Sequence, residues 1–167
     1  MQKSLLFILI LVILSSCAHR HKPITFRDEF GVPLDKNWGY PLRRTLFEIT
    51  SNYGDIRRYG NKTYYHQGID IKAEKGEPVY AVRDGRVLFA GKQGNYGKIV
   101  ILSHDNNWET RYAHLNSISV KVNQKVKRGQ VIGRVGKTGN ATGYHLHFEI
   151  RQNNIPKNPL LIIPLPH

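Results

Sequence analysis

Four histidines and one aspartate carry the chemistry that this chain's residue types and spacing suggest. Thr138 to Ile150 reads TGNATGYHLHFEI, and its last six residues alternate polar with apolar. On a strand, that alternation turns His145 and His147 to one face and Leu146, Phe148 and Ile150 to the other. The glycines ahead of them allow a sharp turn and close approach of other backbone. Two more segments are of the same kind. In Tyr64-Tyr65-His66-Gln67-Gly68-Ile69-Asp70-Ile71, a strand would set His66 and Asp70 on one face, with Gly68 between them leaving space for something bound. In Thr110-Arg111-Tyr112-Ala113-His114-Leu115, Tyr112 and His114 would share a face. One histidine is ordinarily just surface; converging imidazoles beside a carboxylate suggest a metal.

A catalytic zinc takes three protein ligands and keeps one position for water. Five candidates therefore leave two side chains over. Two spare imidazoles suit hydrolysis of a stable carbonyl: one takes or orients the water's proton, the other stabilises charge or helps the leaving amine. Spacing alone does not say which histidines are ligands, because an HxH pair can bind one metal with both rings or divide its roles.

The elements that must position these residues begin at Trp38. Short apolar or alternating runs, TLFEIT, GIDI, PVYAV, GRVLFAG, GKIVILS, TRYAHL, QVIGRVG and HLHFEIR, are separated by Gly, Asn, Asp or Pro. Val, Ile, Tyr and Phe fill them, and no long stretch keeps a helical period. The fold class is mainly β: an antiparallel β-sandwich or partly open barrel with few short helices. The prolines in Ile155 to His167 exclude a central strand, so that segment packs along the outside.

At 167 residues the chain has room for one ordinary domain and a short appendage. Leu5 to Leu14 is an unbroken apolar run behind Lys3, too short for a bilayer span and suited to a secretory signal. The sole cysteine follows in Leu14-Ser15-Ser16-Cys17, which looks like a bacterial lipobox. An acylated Cys17 also accounts for a lone thiol in an exported chain. The organisation is then residues 1–16 as lipoprotein signal, 17–37 as lipidated Cys and tether, 38–159 as the folded domain and 160–167 as a tail. The formal charge of +13 favours an anionic partner or surface. Export and the lack of a recognition-helix or RNA-type aromatic motif argue against nucleic acid. Lys121, Lys125, Lys127 and Arg128 form the densest basic segment.

Seven ordered segments carry a family resemblance: ITSNYGDIR (49–57), HQGIDI (66–71), GEPVYAVRDGRV (76–87), YGKIVILSH (96–104), TRYAHL (110–115), VKRGQVIGRVGKTG (126–139) and ATGYHLHFEI (141–150). Over Trp38 to Pro159 the sequence resembles the M23 zinc metallopeptidases, the lysostaphin or LytM-type peptidoglycan endopeptidases. The resemblance implies one Zn2+ per chain on His66, Asp70 and His147, with His114 and His145 as the catalytic pair. It also implies a peptidoglycan peptide as substrate, and a tyrosine near the oxyanion, for which Tyr59, Tyr64 and Tyr65 are candidates. His104 is read as structural. Glu149 is assigned to packing or solvent on the face opposite His147. Tyr144 stands where the family often has proline, and Ala141 where it often has serine. The chain is read as a monomeric bacterial envelope lipoprotein, held through Cys17 at the outer membrane facing the periplasm or at the outer face of a Gram-positive plasma membrane. The alternative is a catalytically inactive regulatory module that activates cell-wall amidases, a class marked by missing ligands.

Overall fold

The structure, a computed structural model, describes residues 38–43 and 47–163. The signal, Cys17 and the tether therefore lie outside the described residues. Twelve strands follow in order: β1 (Ile49–Ser51), β2 (Ile56–Tyr59), β3 (Lys62–Tyr65), β4 (Ile69–Lys72), β5 (Pro78–Tyr80), β6 (Gly85–Gln93), β7 (Gly97–Ser103), β8 (Trp108–Ile118), β9 (Lys125–Val126), β10 (Val131–Val135), β11 (His145–Gln152) and β12 (Ile155–Lys157). Single 3-10 turns occur at Gly94–Tyr96, Asp105–Asn107 and Pro159–Leu161. No helix among the described residues is long and apolar enough to cross a membrane.

The architecture is mainly β and antiparallel, as the short punctuated runs imply. Most strands join one sheet in the order β1-β4-β11-β8-β7-β6-β9; β10 pairs with β8 and β5, and β12 with β11. β2 and β3 form a separate hairpin, which the alternation rule does not find. Its second strand, Lys62–Tyr65, is exposed throughout, so no buried face imposes a pattern on it.

Register fixes which residues share a face. Phe148 lies opposite Tyr112 and Ile69, and His147 lies opposite Ala113 and Asp70. Phe148, Tyr112, Ile69, Leu146 and Leu115 are fully buried in the main core, which Trp38 and Leu42 join from the N-terminal side. The opposite face carries His147, Asp70 and Ala113, with Ala113 in a smaller apolar cluster with Ile99 and Ile101. One face of β11 thus anchors the sheet and the other presents its polar groups. Truncating Phe148 to Ala would cost about 3–5 kcal/mol and loosen the strand that holds both histidines.

β12 is an outer strand on β11, which agrees with the exclusion of a proline-rich segment from the sheet centre. Leu160 and Ile162 pack on the core and Ile163 is buried in it.

Candidate metal centre

β4 and β11 lie side by side, and their register sets Asp70 opposite His147. His66 comes from the loop before β4 rather than from a strand, so its meeting with Asp70 is not the strand-face relation that the four-residue spacing implies. The loop delivers the ring by a bond at its base: Nδ1 of His66 lies 2.8 Å from the carbonyl oxygen of Asn52. Gly68 sits in that loop for a different reason than ligand space. A Cβ there would meet the Phe148 carbonyl oxygen at 2.2 Å and Glu149 Cγ at 2.9 Å, so glycine lets the loop press against the β11 backbone.

His66 Nε2, Asp70 Oδ1 and His147 Nδ1 form a triangle with edges of 3.0, 2.8 and 3.2 Å. All three residues are buried. The partners of the other ring nitrogens fix the tautomers. The Asn52 carbonyl only accepts, so His66 carries its proton on Nδ1 and leaves a lone pair on Nε2. His147 Nε2 lies 3.0 Å from Glu149 Oε1, so that nitrogen donates and Nδ1 is left bare. Two nitrogen lone pairs and a carboxylate oxygen then converge, and such a cluster needs positive charge at its centre. A second proton on His147 is one source: burial opposes it, but Asp70 and Glu149 push that ring's pKa up. Asp70 is likewise held well below the usual carboxylate range, with burial outweighed by its bonds to His147 and His66. A metal ion is the other source. Donors on a tetrahedral zinc with bonds of about 2.0–2.1 Å stand about 3.3 Å apart, so the observed triangle fits one with a slight widening. These three are the group of His and acidic side chains found close enough to hold a metal among the described residues.

The carboxylates around the triangle are themselves held. Arg57 Nη2 donates to Asp70 Oδ2 at 2.6 Å, which leaves Oδ1 for the centre. Glu149 is fully buried and accepts from Tyr96 Oη at 2.7 Å and Arg151 Nε at 2.8 Å as well as from His147. Burial raises its pKa, but His147, Tyr96 and Arg151 bring it down to about 2. Glu149 is therefore neither solvent-facing nor on the opposite face: two residues beyond His147 on a strand, it shares that side. The spacing in HLHFE contained this relation. Arg57 and the Asn52 carbonyl carried no such signal, because a loop brings them in.

His114 reaches the same side by a backbone exception. Alternation along β8 would set it with Tyr112 in the core, but its φ is +60°, in the left-handed region that a non-glycine residue adopts at a cost. Tyr112 stays in the core, its hydroxyl within 3.1 Å of Val82 N and 3.0 Å of Thr110 Oγ1, so the two do not share a face. The His114 ring centroid lies 4.8 Å from that of His145 and 5.8 Å from that of His147. Nδ1 of His114 donates to Thr138 O at 2.8 Å, and Nδ1 of His145 donates to Gly143 O at 3.0 Å. Each ring keeps a lone pair on Nε2. Burial pulls His114 down to about 4, with the neighbouring histidines adding to the effect against its bond to Thr138, so it is neutral at physiological pH. His145 Nε2 lies 3.7 Å from Asp70 Oδ1, at the edge of the triangle.

All five sequence-selected residues thus meet. Tyr64 and Tyr65 on β3 are exposed and line a cavity of about 480 Å³ with Tyr53, His66, Gln67 and Pro156. Tyr59 belongs to β2, and its side chain lies outside what the structure describes. His104 bridges Asp84 O and Thr110 Oγ1, both at 2.8 Å, a bracing position away from the triangle.

Residues 64–159 match the model of peptidase family M23. The chain belongs to this family. It is 40% identical over 142 residues to the DD-carboxypeptidase/endopeptidase Mpg of Neisseria meningitidis serogroup B, covering 83% of this chain and 33% of that one. It is 37% identical over 134 residues to the peptidoglycan DD-endopeptidase ShyB of Vibrio cholerae, covering 78% and 32%. The M23 chain also superposes on a zinc-containing peptidase from Vibrio cholerae with a TM-score of 0.70 at 36% identity, covering 85% of this chain and 44% of that one. It spans about a third of the length of the curated relatives it matches.

Proposed function

We propose that this M23 chain is a zinc endopeptidase that hydrolyses peptide cross-links or stem peptides of bacterial peptidoglycan, acting in the cell envelope from a lipid anchor on Cys17. The observation that carries the reading is the convergence of two bare imidazole nitrogens and Asp70 Oδ1 on one point, with two further imidazoles on its open side. Named relatives act on peptidoglycan or contain zinc. The regulatory alternative is expected of chains that have lost these residues, whereas His66, Asp70 and His147 are present here and close enough to hold a metal.

His66 Nε2, Asp70 Oδ1 and His147 Nδ1 would hold the zinc, which when bound supplies Lewis acidity toward the scissile carbonyl and its attacking water. Arg57 and Glu149 keep the two sides of that set oriented. His114, neutral and with Nδ1–H tied to Thr138 O, offers Nε2 to a proton from water. His145, tied to Gly143 O, presents Nε2 beside it to the developing charge or the leaving amine. Tyr64 and Tyr65 edge the adjoining cavity, where an extended peptide would lie, and either hydroxyl could donate to the oxyanion.

Metal analysis and digestion of defined muropeptides, read by mass spectrometry, test this. One zinc per chain, cleavage lost with zinc in His66→Ala, and cleavage lost but zinc kept in His114→Ala and His145→Ala are the expected results. Undiminished cleavage by His114→Ala or by a metal-free His66→Ala chain refutes it.

A further inference from the structure

We propose that the β6–β9 edge, far along the sheet from the metal centre, is a docking surface for an anionic lipid bilayer. The inference needs neither zinc nor peptide cleavage.

β9 ends the sheet, and β7 and β6 separate it from β8, the strand that carries His114. Arg86 on β6 stands directly opposite Lys125 on β9. Like charges across a strand pair destabilise it, and an anion between them removes the cost. Arg86 also donates to Asn123 O at 2.9 Å, which ties its guanidinium to the 121–124 turn. That turn is closed by Gln124 N to Lys121 O at 3.1 Å. Lys121 and Lys125 are exposed and have no carboxylate within ion-pair distance among the described residues. The acids at the rim are already engaged: Asp84 with Lys127 and Asp105 with Arg83.

Lysines on an edge strand can simply discourage strand pairing. Two apolar side chains argue for more. Leu88 and Val122 are each 49% exposed. The bond from Asn123 N to Val87 O at 2.8 Å makes them neighbours across the same edge, because each is the next residue along antiparallel chains. Exposed aliphatics among Arg86, Lys121 and Lys125 match a bilayer surface, where cations meet phosphate and alkyl groups enter the headgroup layer. A wall polymer would use the charges but gain little from Leu88 and Val122.

The chain's entry adds a second argument. Trp38, the first described residue, packs against His104 and beneath Arg83. His104 and Asp84 line one cavity with Arg86, Lys125 and Lys127. The 37 residues that precede Trp38 therefore join the domain at its basic end.

Vesicle co-sedimentation of the full chain carrying Cys17→Ser tests the proposal, so that no acyl chain contributes. The apolar leader, where retained, binds neutral and anionic lipid alike, so the readout is the difference between them. Phosphatidylglycerol vesicles should bind better than phosphatidylcholine vesicles, with a steep loss on adding salt. Lys121→Gln with Lys125→Gln should weaken that difference about 25-fold, about five-fold per charge, and leave muropeptide cleavage in solution unchanged. Leu88→Ser with Val122→Ser should weaken it further. Equal binding to both lipids, or insensitivity to the lysine pair, overturns the proposal. So does lysine-dependent binding to insoluble peptidoglycan but not to vesicles, which would make the partner a polymer.

Discussion

Replacing Glu149 with Gln separates positioning from ligation at the metal centre. The side chain keeps its shape but loses one acceptor, while three donors still face it: His147 Nε2 at 3.0 Å, Tyr96 Oη at 2.7 Å and Arg151 Nε at 2.8 Å. A glutamine amide offers one oxygen and one NH2. If the oxygen turns to Arg151, the NH2 confronts His147, whose ring must move its proton to Nδ1, the atom that would bind zinc. If the oxygen turns to His147, Arg151 loses a charged partner in a buried site. Loss of such an outer partner costs about 10- to 100-fold in metal affinity, equivalent to about 1.4–2.7 kcal/mol. Breaking the buried Glu149–Arg151 pair costs about 3–5 kcal/mol of stability, lessened here because Arg151 still reaches Gln67. Competition against a chelating dye measures the first quantity and urea unfolding of the metal-free protein the second. Zinc affinity within two-fold of the parent, in a chain shown to be folded, would refute the tautomer argument even if the protein were less stable.

Three other outcomes are expected. His114→Ala should lower kcat by about 10²- to 10⁴-fold with zinc retained, and His114→Gly should be equally inactive yet more stable than the alanine variant by about 1 kcal/mol, because glycine accepts the left-handed backbone; thermal unfolding of the two checks the order. Gly68→Ala should destabilise by about 1–3 kcal/mol or more through overpacking and weaken zinc binding by displacing His66, both read on the purified variant. Burial holds His104 below its ordinary value against the bond to Asp84 O, so its contribution is full above about pH 6.5 and falls as pH drops below that; His104→Gln should flatten the slope of unfolding free energy against pH in that window.

Much of this was readable from residue order because strands impose a period of two. The runs around Ile69, Val100, Tyr112 and Phe148 appear as β4, β7, β8 and β11, and the histidine pair in HLHFEI lies on one face as its spacing requires. What stayed hidden depends on loops and on broken alternation. The β2–β3 hairpin buries no regular face and leaves no pattern. His66 comes from a loop whose conformation is set by contacts with Asn52 and with β11. Sequence distance is silent about both. Glu149 is a different case: period two already put it beside His147, and assigning it to packing or solvent on the opposite face missed a relation the strand dictates.

His114 shows why the remaining geometry could not be read locally. A left-handed non-glycine residue inside a strand costs about 1–2 kcal/mol and persists only where its surroundings over-determine it. Here one residue does most of that. Thr138 O accepts from His114 Nδ1 at 2.8 Å, Thr138 Oγ1 donates to Leu115 O at 2.8 Å, and Lys98 N donates to the same Oγ1 at 2.9 Å. Thr138 is placed in turn by two glycines in contact. A Cβ on Gly97 would meet Thr138 C at 2.4 Å, a Cβ on Gly139 would meet Gly97 N at 2.4 Å, and both residues have positive φ. The TGNATG segment thus lets backbone approach closely, and what the approach achieves is to fix the carbonyl that holds the His114 imidazole. Enlarging either glycine should therefore release His114 toward the core side of β8, lowering kcat while leaving the His66, Asp70 and His147 triangle able to bind its metal.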